Sequence, residues 1–470
     1  RSSAASDVYK RQDTNKSKED VFMRKSKKVI SVIMAMTMAA VMAVPAQMSG
    51  VMAGTKTVYA ADNKQAEQNA QGKCGDNAVY KYDGKTQTLT VSGTGEMWDD
   101  YGFARNLTET KKIVIEKGIT AIGSYSFQNL ENVKEVSIAE SVTTIKKEAF
   151  EYIEGTVEIP KSVTKVETNA FTGAKKYIIK GDVTGYEVLA FGGYYSVEEI
   201  VLYGTAQDLG KALYDSSETI ITIAQENTKC KVGSGCLLSA DGKQLYYCLN
   251  QREEITVPDT VEKIWTGAFQ YRYLNSITLG KNVTTIDDFA FVGVRVKKIS
   301  FNEKLTSIGT KAFYGAKFKN VTLKGKVKLG VGAFNDKVKV KYTKKFKSAQ
   351  TTVAKAQVSK SKYNIRFAKI ADAKGYQIRI KKGKKTYKYT TTKNYYTKKA
   401  PKALIKDYKV TKDYSIYDIG TKPDGAAYVT VRPYKKVKNK TYYGRWSAKT
   451  VLSYKSVSYT HLRAHETRRH

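Results

Sequence analysis

The chain has 470 residues, with 81 Lys and Arg against 44 Asp and Glu and a net charge of +37. Its 41% hydrophobic and 11% aromatic content supplies cores and excludes wholesale disorder, and four Cys exclude a disulfide-dense scaffold. At roughly 100–200 residues per domain, two to four domains are expected.

Residue 1 is Arg, not Met. Residues 1–12 (RSSAASDVYKRQ) and 457–470 (VSYTHLRAHETRRH) resemble translated sequencing-adapter scars at the ends of assembled genes. They are set aside, with residues 1–22 as a non-native or untranslated leader. His461, His465 and His470 all fall in that tail, so the remaining chain has no imidazole for a catalytic triad, a Cys-His pair or a His-bound zinc. Met23 is the expected start. A basic stretch at 24–28, an apolar run of 16 residues at 29–44, Pro45, and Val58 and Ala60 before Ala61 read together as a secretory signal over 23–60. The run is shorter than the ~20 residues a spanning helix needs. An exported protein without a membrane span is expected, secreted or wall-associated on a Gram-positive cell.

Residues 62–343 carry 37 basic and 34 acidic groups, whereas 344–455 carry 31 and five. That shift places a domain boundary at 343–349.

Within the nearly neutral middle, one pattern recurs: Ile-x-x-x-Ala-Phe, seven or eight residues, an apolar-x-apolar strand, then Val-x-x-Ile. Ala-Phe pairs end at Phe150, Phe171, Phe191, Phe269, Phe291, Phe313 and Phe334, with Phe127 as a weaker copy. The strands are predicted to begin at Ile113, Val136, Val157, Ile178, Ile200, Ile221, Ile255, Ile277, Ile299, Val321 and Val338. A period near 22 with one short strand per repeat predicts a leucine-rich-repeat-like solenoid of about 11 coils. No coil can bury its apolar face alone, so neighbours must stack. The pattern, as in residues 157–166 and 255–264, resembles the BspA-like leucine-rich repeats of bacterial surface and secreted proteins. Residues 61–112 resemble the β-hairpin cap of such arrays. Residues 225–250, with Asp241-Gly242 between apolar runs, resemble their interrupting hairpin, and Asp-Gly is a hairpin signal in its own right. The resemblance implies adhesion or ligand binding and no catalysis or cofactor.

Residues 349–455 lose the period. Strand-like runs at 362–367, 375–381, 386–391 and 427–434, separated by turn signals, predict a small β-sandwich. These runs, ending in Tyr443-Gly444-Arg445-Trp446-Ser447, resemble fibronectin type III modules, with Phe367 where a core Trp is expected. The whole chain is therefore read as mainly β, a solenoid followed by a sandwich.

Candidate chemistry is sparse. Cys230, Cys236 and Cys248 cluster in the interrupting hairpin, either as buried thiols or with Cys236 and Cys248 joined; three Cys lack the fourth ligand of a zinc site. Adjacent acids (Asp99-Asp100, Glu198-Glu199, Asp287-Asp288) point to opposite faces of extended chain and cannot flank one glycosidic bond. No catalytic or metal residue is assigned.

Two surfaces remain. The middle residues of the strands, Ser137, Glu158, Ile179, Val201, Thr222, Thr256, Thr278, Ser300 and Thr322, form a candidate partner face for a host or bacterial surface protein or glycan. Lys381, Lys382, Lys384 and Lys385, with Lys435, Lys436, Lys438 and Lys440, fall in predicted hairpin turns and are expected to project together toward an anionic wall polymer. An exported chain is a poor nucleic-acid partner despite its charge. The expected function is an adhesin-like surface protein; an accessory part of a larger secreted enzyme and a purely structural wall protein are the alternatives.

Overall fold

A computed structural model describes residues 69–454, except 100–101, 193–196, 214–218, 250–253, 344, 360, 402–403 and 405–425. The leader, the signal segment and the tail lie outside the described residues.

Each coil makes three hydrogen-bonded connections to the next. The apolar-x-apolar strands form a parallel ladder, as where Val136 stands beside Ile113 and Val157, and Tyr177 beside Val157 and Ile200. The Val-x-x-Ile segments form a second ladder, Ile264 beside Ile286 and Ile286 beside Ile308. At the third side the Phe N–H donates to the Ala carbonyl of the next coil: Phe150 to Ala170 at 2.8 Å, Phe269 to Ala290 at 2.7 Å, Phe291 to Ala312 at 2.8 Å. A residue as small as Ala lets the two backbones meet there.

The Phe rings lie inside and stack. Phe127, Phe150, Phe171 and Phe191 form one column with centroid steps of 5.1, 5.3 and 6.3 Å. Phe269, Phe291, Phe313 and Phe334 form a second, with steps of 4.7, 4.8 and 5.2 Å. All eight are buried. Two residues before each Phe the backbone turns left-handed: Tyr125, Glu148, Asn169, Leu189, Gly267, Phe289, Lys311 and Gly332 have φ of +50° to +71°. Only two of the eight are Gly, although a left-handed residue with a side chain costs roughly 1–2 kcal/mol. The ladders on either side hold this turn in place.

Two strands start elsewhere than the pattern predicts. At the fourth strand the inward residues are Tyr177 and Ile179, so Ile178 faces out and Ile179 belongs to the core. At the last, Val340 pairs with Val321, two residues beyond the predicted Val338. At the fourth strand Tyr177, Ile178 and Ile179 are consecutive apolar residues, so alternation alone does not fix which points inward; at the last, Val338, Val340 and Tyr342 alternate and are all buried, so the face is as predicted and only the start differs.

The cap is a hairpin of Gly75–Asp83 and Thr88–Met97. Its second strand is long enough to open both ladders, with Leu89 beside Ile113 and Gly95 beside Ile119. The insertion is a three-stranded meander, Cys230–Gly233, Cys236–Ser239 and Gln244–Cys248, one strand more than a simple hairpin. Its turn uses Gly242 at φ +74°, and the Asp241 carboxylate accepts from the Ser239 hydroxyl at 2.6 Å and the Lys243 N–H at 2.9 Å. The meander joins the two blocks. Leu237, Tyr246 and Tyr247 face the first core, and Cys236, Leu238, Leu245 and Cys248 face the second.

Beyond the solenoid, two sheets face each other. One holds Val353–Ser359, Lys362–Phe367, Tyr395–Tyr396 and Ser453–Tyr454; the other holds Gly375–Lys382, Lys385–Thr391, Tyr428–Val437 and Lys440–Tyr443. Phe367 is buried with its ring 4.6 Å from that of Tyr376.

The composition break at 343–349 is not a break in packing. The short strand Lys369–Ile370 adds to the solenoid ladder beside Lys339 and Val340. The Gln350 side chain accepts from Leu329 N–H at 3.0 Å, and the Thr352 hydroxyl accepts from Ala333 N–H at 3.1 Å. Arg445 donates to the carbonyls of Ser348 (3.1 Å) and Val327. One continuous core runs from Cys236 to Leu452. The sandwich is thus the C-terminal cap that an open-ended solenoid requires.

Candidate binding surfaces

The adjacent acids serve the stacking of coils. Glu198 and Glu199 pair separately with Lys175 (3.7 Å) and Lys176 (2.8 Å). Asp99 accepts from Ser124 N–H at 2.8 Å, and that bond holds its carboxyl below the usual range; Asp100 lies outside the described residues. Asp287 pairs with Lys263 at 3.1 Å, while Asp288 turns inward to accept from Thr310 N–H. Burial pushes the Asp288 carboxyl up, above the ordinary carboxylate value of about 4. A raised folded value means stability present at acid pH and lost as pH rises through that value. We therefore expect Asp288→Asn, which keeps the acceptor, to melt no lower than the wild type at neutral pH and to flatten the melting-point profile above pH 4. A drop in the melting point at neutral pH would show that the charge itself is needed.

The cysteines are structural in setting. All four are buried, and Cys236 and Cys248 stand opposite each other in the meander. Burial raises the Cys230 thiol to about 11, and its Sγ donates to the Gly204 carbonyl at 3.4 Å. It is therefore a poor nucleophile.

The candidate strand residues fall on three separate sheets, and Ile179 is not among the exposed ones. Ser137, Glu158 and Thr222 lie exposed on the first block's sheet, with Ile178 and Val201 between them. Thr256, Thr278 and Ser300 share a separate three-stranded sheet. Thr322 lies on a third, where its neighbour is Lys341. The meander separates the first group from the second.

The two lysine clusters sit in hairpin turns, but at opposite ends of one sheet. Lys381 lies across from Tyr428 and Gly375 across from Tyr434, so the 382–385 tip and the 437–440 tip point away from each other. Strand order sets this: the two hairpins share the antiparallel pair at the centre of the sheet. The sheet surface between the tips, which sequence reasoning missed, is itself cationic. Arg379 and Arg432 stack on Trp446 at 4.5 and 4.6 Å, and Arg432 also on Tyr443 at 4.0 Å. Arg379, Lys381, Lys388 and Lys449 line a shallow hollow of about 550 Å³ there. Alternation along the strands would have put these side chains on one face, had the pairing been known.

The charge boundary also lies earlier than the composition shift at 343. Residues 62–291 carry 24 basic and 32 acidic groups, or −8; residues 292–343 carry 13 and two, or +11. The solenoid is acidic over most of its length and basic in its last coils.

Stacked parallel strands, an inner Phe column and capped ends define a leucine-rich-repeat solenoid. The model of the BspA type leucine rich repeat region matches residues 85–237 and 242–362 in six copies, and the chain belongs to that family. Proteins of this family are typically surface or secreted proteins, and the fold is typically a non-catalytic binding or scaffold fold. No helix among the described residues is long and apolar enough to cross a membrane. No curated protein matches the chain. Similar solved structures include a leucine-rich repeat protein from Eubacterium ventriosum, 20% identical over 62% of this chain and 87% of that one, with a TM-score of 0.44. The pneumococcal vaccine antigen PcpA is 16% identical over 62% and 87%, with a TM-score of 0.40. A leucine rich cell surface protein from Faecalibacterium prausnitzii is 16% identical over 61% and 90%, with a TM-score of 0.37.

Proposed function

We propose that this chain is an exported, adhesin-like surface protein. Its solenoid strand face meets a protein or glycan partner, and its basic C-terminal end is held on anionic wall polymer. The observation that carries this reading is the polarity of charge: an acidic array that turns basic at residue 292 and ends in a module where Asp372 is the only described acid. Lys outnumbers Arg there, which suits diffuse attraction to a polyanion over bidentate recognition of one group. The signal-like segment at 23–60 supports export.

The test uses the full chain and purified teichoic-acid-bearing wall. Binding should weaken steeply with salt, since screening shortens the reach of exposed charge to about 8 Å at physiological ionic strength. Replacing Lys381, Lys382, Lys384, Lys385, Lys435, Lys436, Lys438 and Lys440 by Gln should lower both the affinity and the salt slope. Salt-independent binding, or binding unchanged in the eightfold variant, would remove the hairpin lysines from the attachment role.

A further inference from the structure

The second block carries an aromatic notch that neither the strand face nor the lysine hairpins explain. Where the Phe-bearing turn runs back toward the strand, Tyr271, Gly293 and Gly315 succeed one another from coil to coil. Tyr271 N–H donates to the Val292 carbonyl at 2.8 Å and Gly293 N–H to that of Tyr314 at 2.7 Å. In the next row Tyr273 pairs with Arg295, and Lys317 follows, its N–H reaching the Val294 carbonyl at 3.2 Å.

The floor of the notch is the Tyr271 ring lying on Gly293 and, one coil on, the bare backbone of Gly315. Gly293 has φ +67°, and a Cβ there would lie 2.5 Å from the Tyr271 ring, so only glycine lets that ring rest on the neighbouring coil. The walls are aromatic and cationic. Tyr273 and Tyr314 are 49% and 42% exposed, among the most exposed large hydrophobic side chains described. The Arg295 guanidinium stacks 4.8 Å from the Tyr273 centroid. That stacking occupies its face and leaves its N–H edges available, the geometry in which Arg grips a carboxylate. A hollow of about 260 Å³ bounded by these groups adjoins one of about 400 Å³ on the far side of the Tyr273–Arg295–Lys317 row. No carboxylate lines either hollow.

The exposed Tyr314 ring beside a flat floor of Gly315 and the Tyr271 ring suits the C–H face of a sugar, and two cations on one wall suit a negative charge on that sugar. We propose that this notch binds a carboxylate-bearing pyranose, stacked on Tyr314 with its carboxylate on Lys317 and on Arg295, which Tyr273 holds in place. The site lies apart from the attachment surface proposed above and does not depend on it. Sialic acid and uronic acid share this chemistry, and the assay separates them.

The experiment is saturation-transfer NMR on the full chain with sialyllactose, a glucuronate disaccharide, and lactose as the neutral control. Transfer is expected to at least one acidic sugar, strongest at ring C–H protons, and not to lactose; the sugar that responds identifies the source. Tyr314→Ala and Lys317→Gln, both at exposed positions, should each weaken binding by about tenfold at an unchanged melting temperature. Four results would overturn the proposal: no transfer to either acidic sugar, equal transfer to lactose, full binding by both variants, or displacement by inorganic polyphosphate, which would reduce the site to bulk charge attraction. Loss of wall binding in the eightfold lysine variant with saccharide binding intact would separate the two sites.

Discussion

Ending the chain after Thr343 should fray the last coils. The polar partners of Leu329, Gly332 and Ala333 come from residues 350–353. The ladder beyond Val340 is completed by Ile370, whose neighbours Lys369 and Ala371 donate to the carbonyls of Val338 (3.1 Å) and Val340 (2.9 Å). Without the sandwich these groups meet water, and the apolar cluster around Phe334 and Val340 loses its cover. Each such side chain returned to solvent costs roughly 1.5–3 kcal/mol, so the loss reaches several kcal/mol. Hydrogen exchange should show residues 320–342 losing protection while residues 113–202 keep theirs, and soluble yield should fall. A milder version is Arg445→Ala. Half-buried Arg445 bonds carbonyls of Val327 and Ser348, and burial holds its guanidinium below its ordinary value. Removing charge-assisted bonds of this kind costs about 1.5–3 kcal/mol each. If residues 61–343 alone melt cooperatively at the full-length temperature, the capping role is wrong.

The repeat was legible because its chemistry is redundant. Phe spacing, the Ala before it and the following strand all report the same coil, and all eight Phe rings lie inside. The cap and Asp241-Gly242 were legible because a hairpin turn needs particular residues. What escaped has physical reasons. The left-handed turn before each Ala-Phe is occupied mostly by residues such as Glu148, Leu189 and Lys311, so no glycine marks it. The slip at Ile178 arises within three consecutive apolar residues, and that at Val338 because an inward-facing Val precedes the strand. The capping role of the sandwich depends on contacts such as Arg445 to Val327, far apart in sequence and free of any motif. The notch was hidden for the same reason: Tyr271, Arg295 and Tyr314 belong to three different coils and meet only through stacking.

Phe291→Ala should be the most damaging single substitution in the second block. Its ring lies between Phe269 at 4.7 Å and Phe313 at 4.8 Å, nearly parallel to both, and is fully buried. The cavity cannot collapse easily, because Phe291 N–H is tied to Ala312 at 2.8 Å and the flanking ladders fix the coil height. Phe-to-Ala changes in such cores cost about 3–5 kcal/mol. The two Phe columns are separate, with no ring stacking between Phe191 and Phe269; the blocks meet through the meander and through Gln270, whose side-chain N–H donates to the Gly210 and Leu213 carbonyls. In a solenoid, stability is a sum of coil and neighbour terms. The loss should therefore stay local: urea titration followed by hydrogen exchange should show residues 255–342 and the sandwich unfolding at lower denaturant, with residues 113–202 holding to the wild-type midpoint. If both blocks shift together, their junction couples them into one cooperative unit, and Leu237 and Leu238 on the two faces of the meander, with Gln270 bonded to Gly210 and Leu213, are the residues through which that coupling would pass.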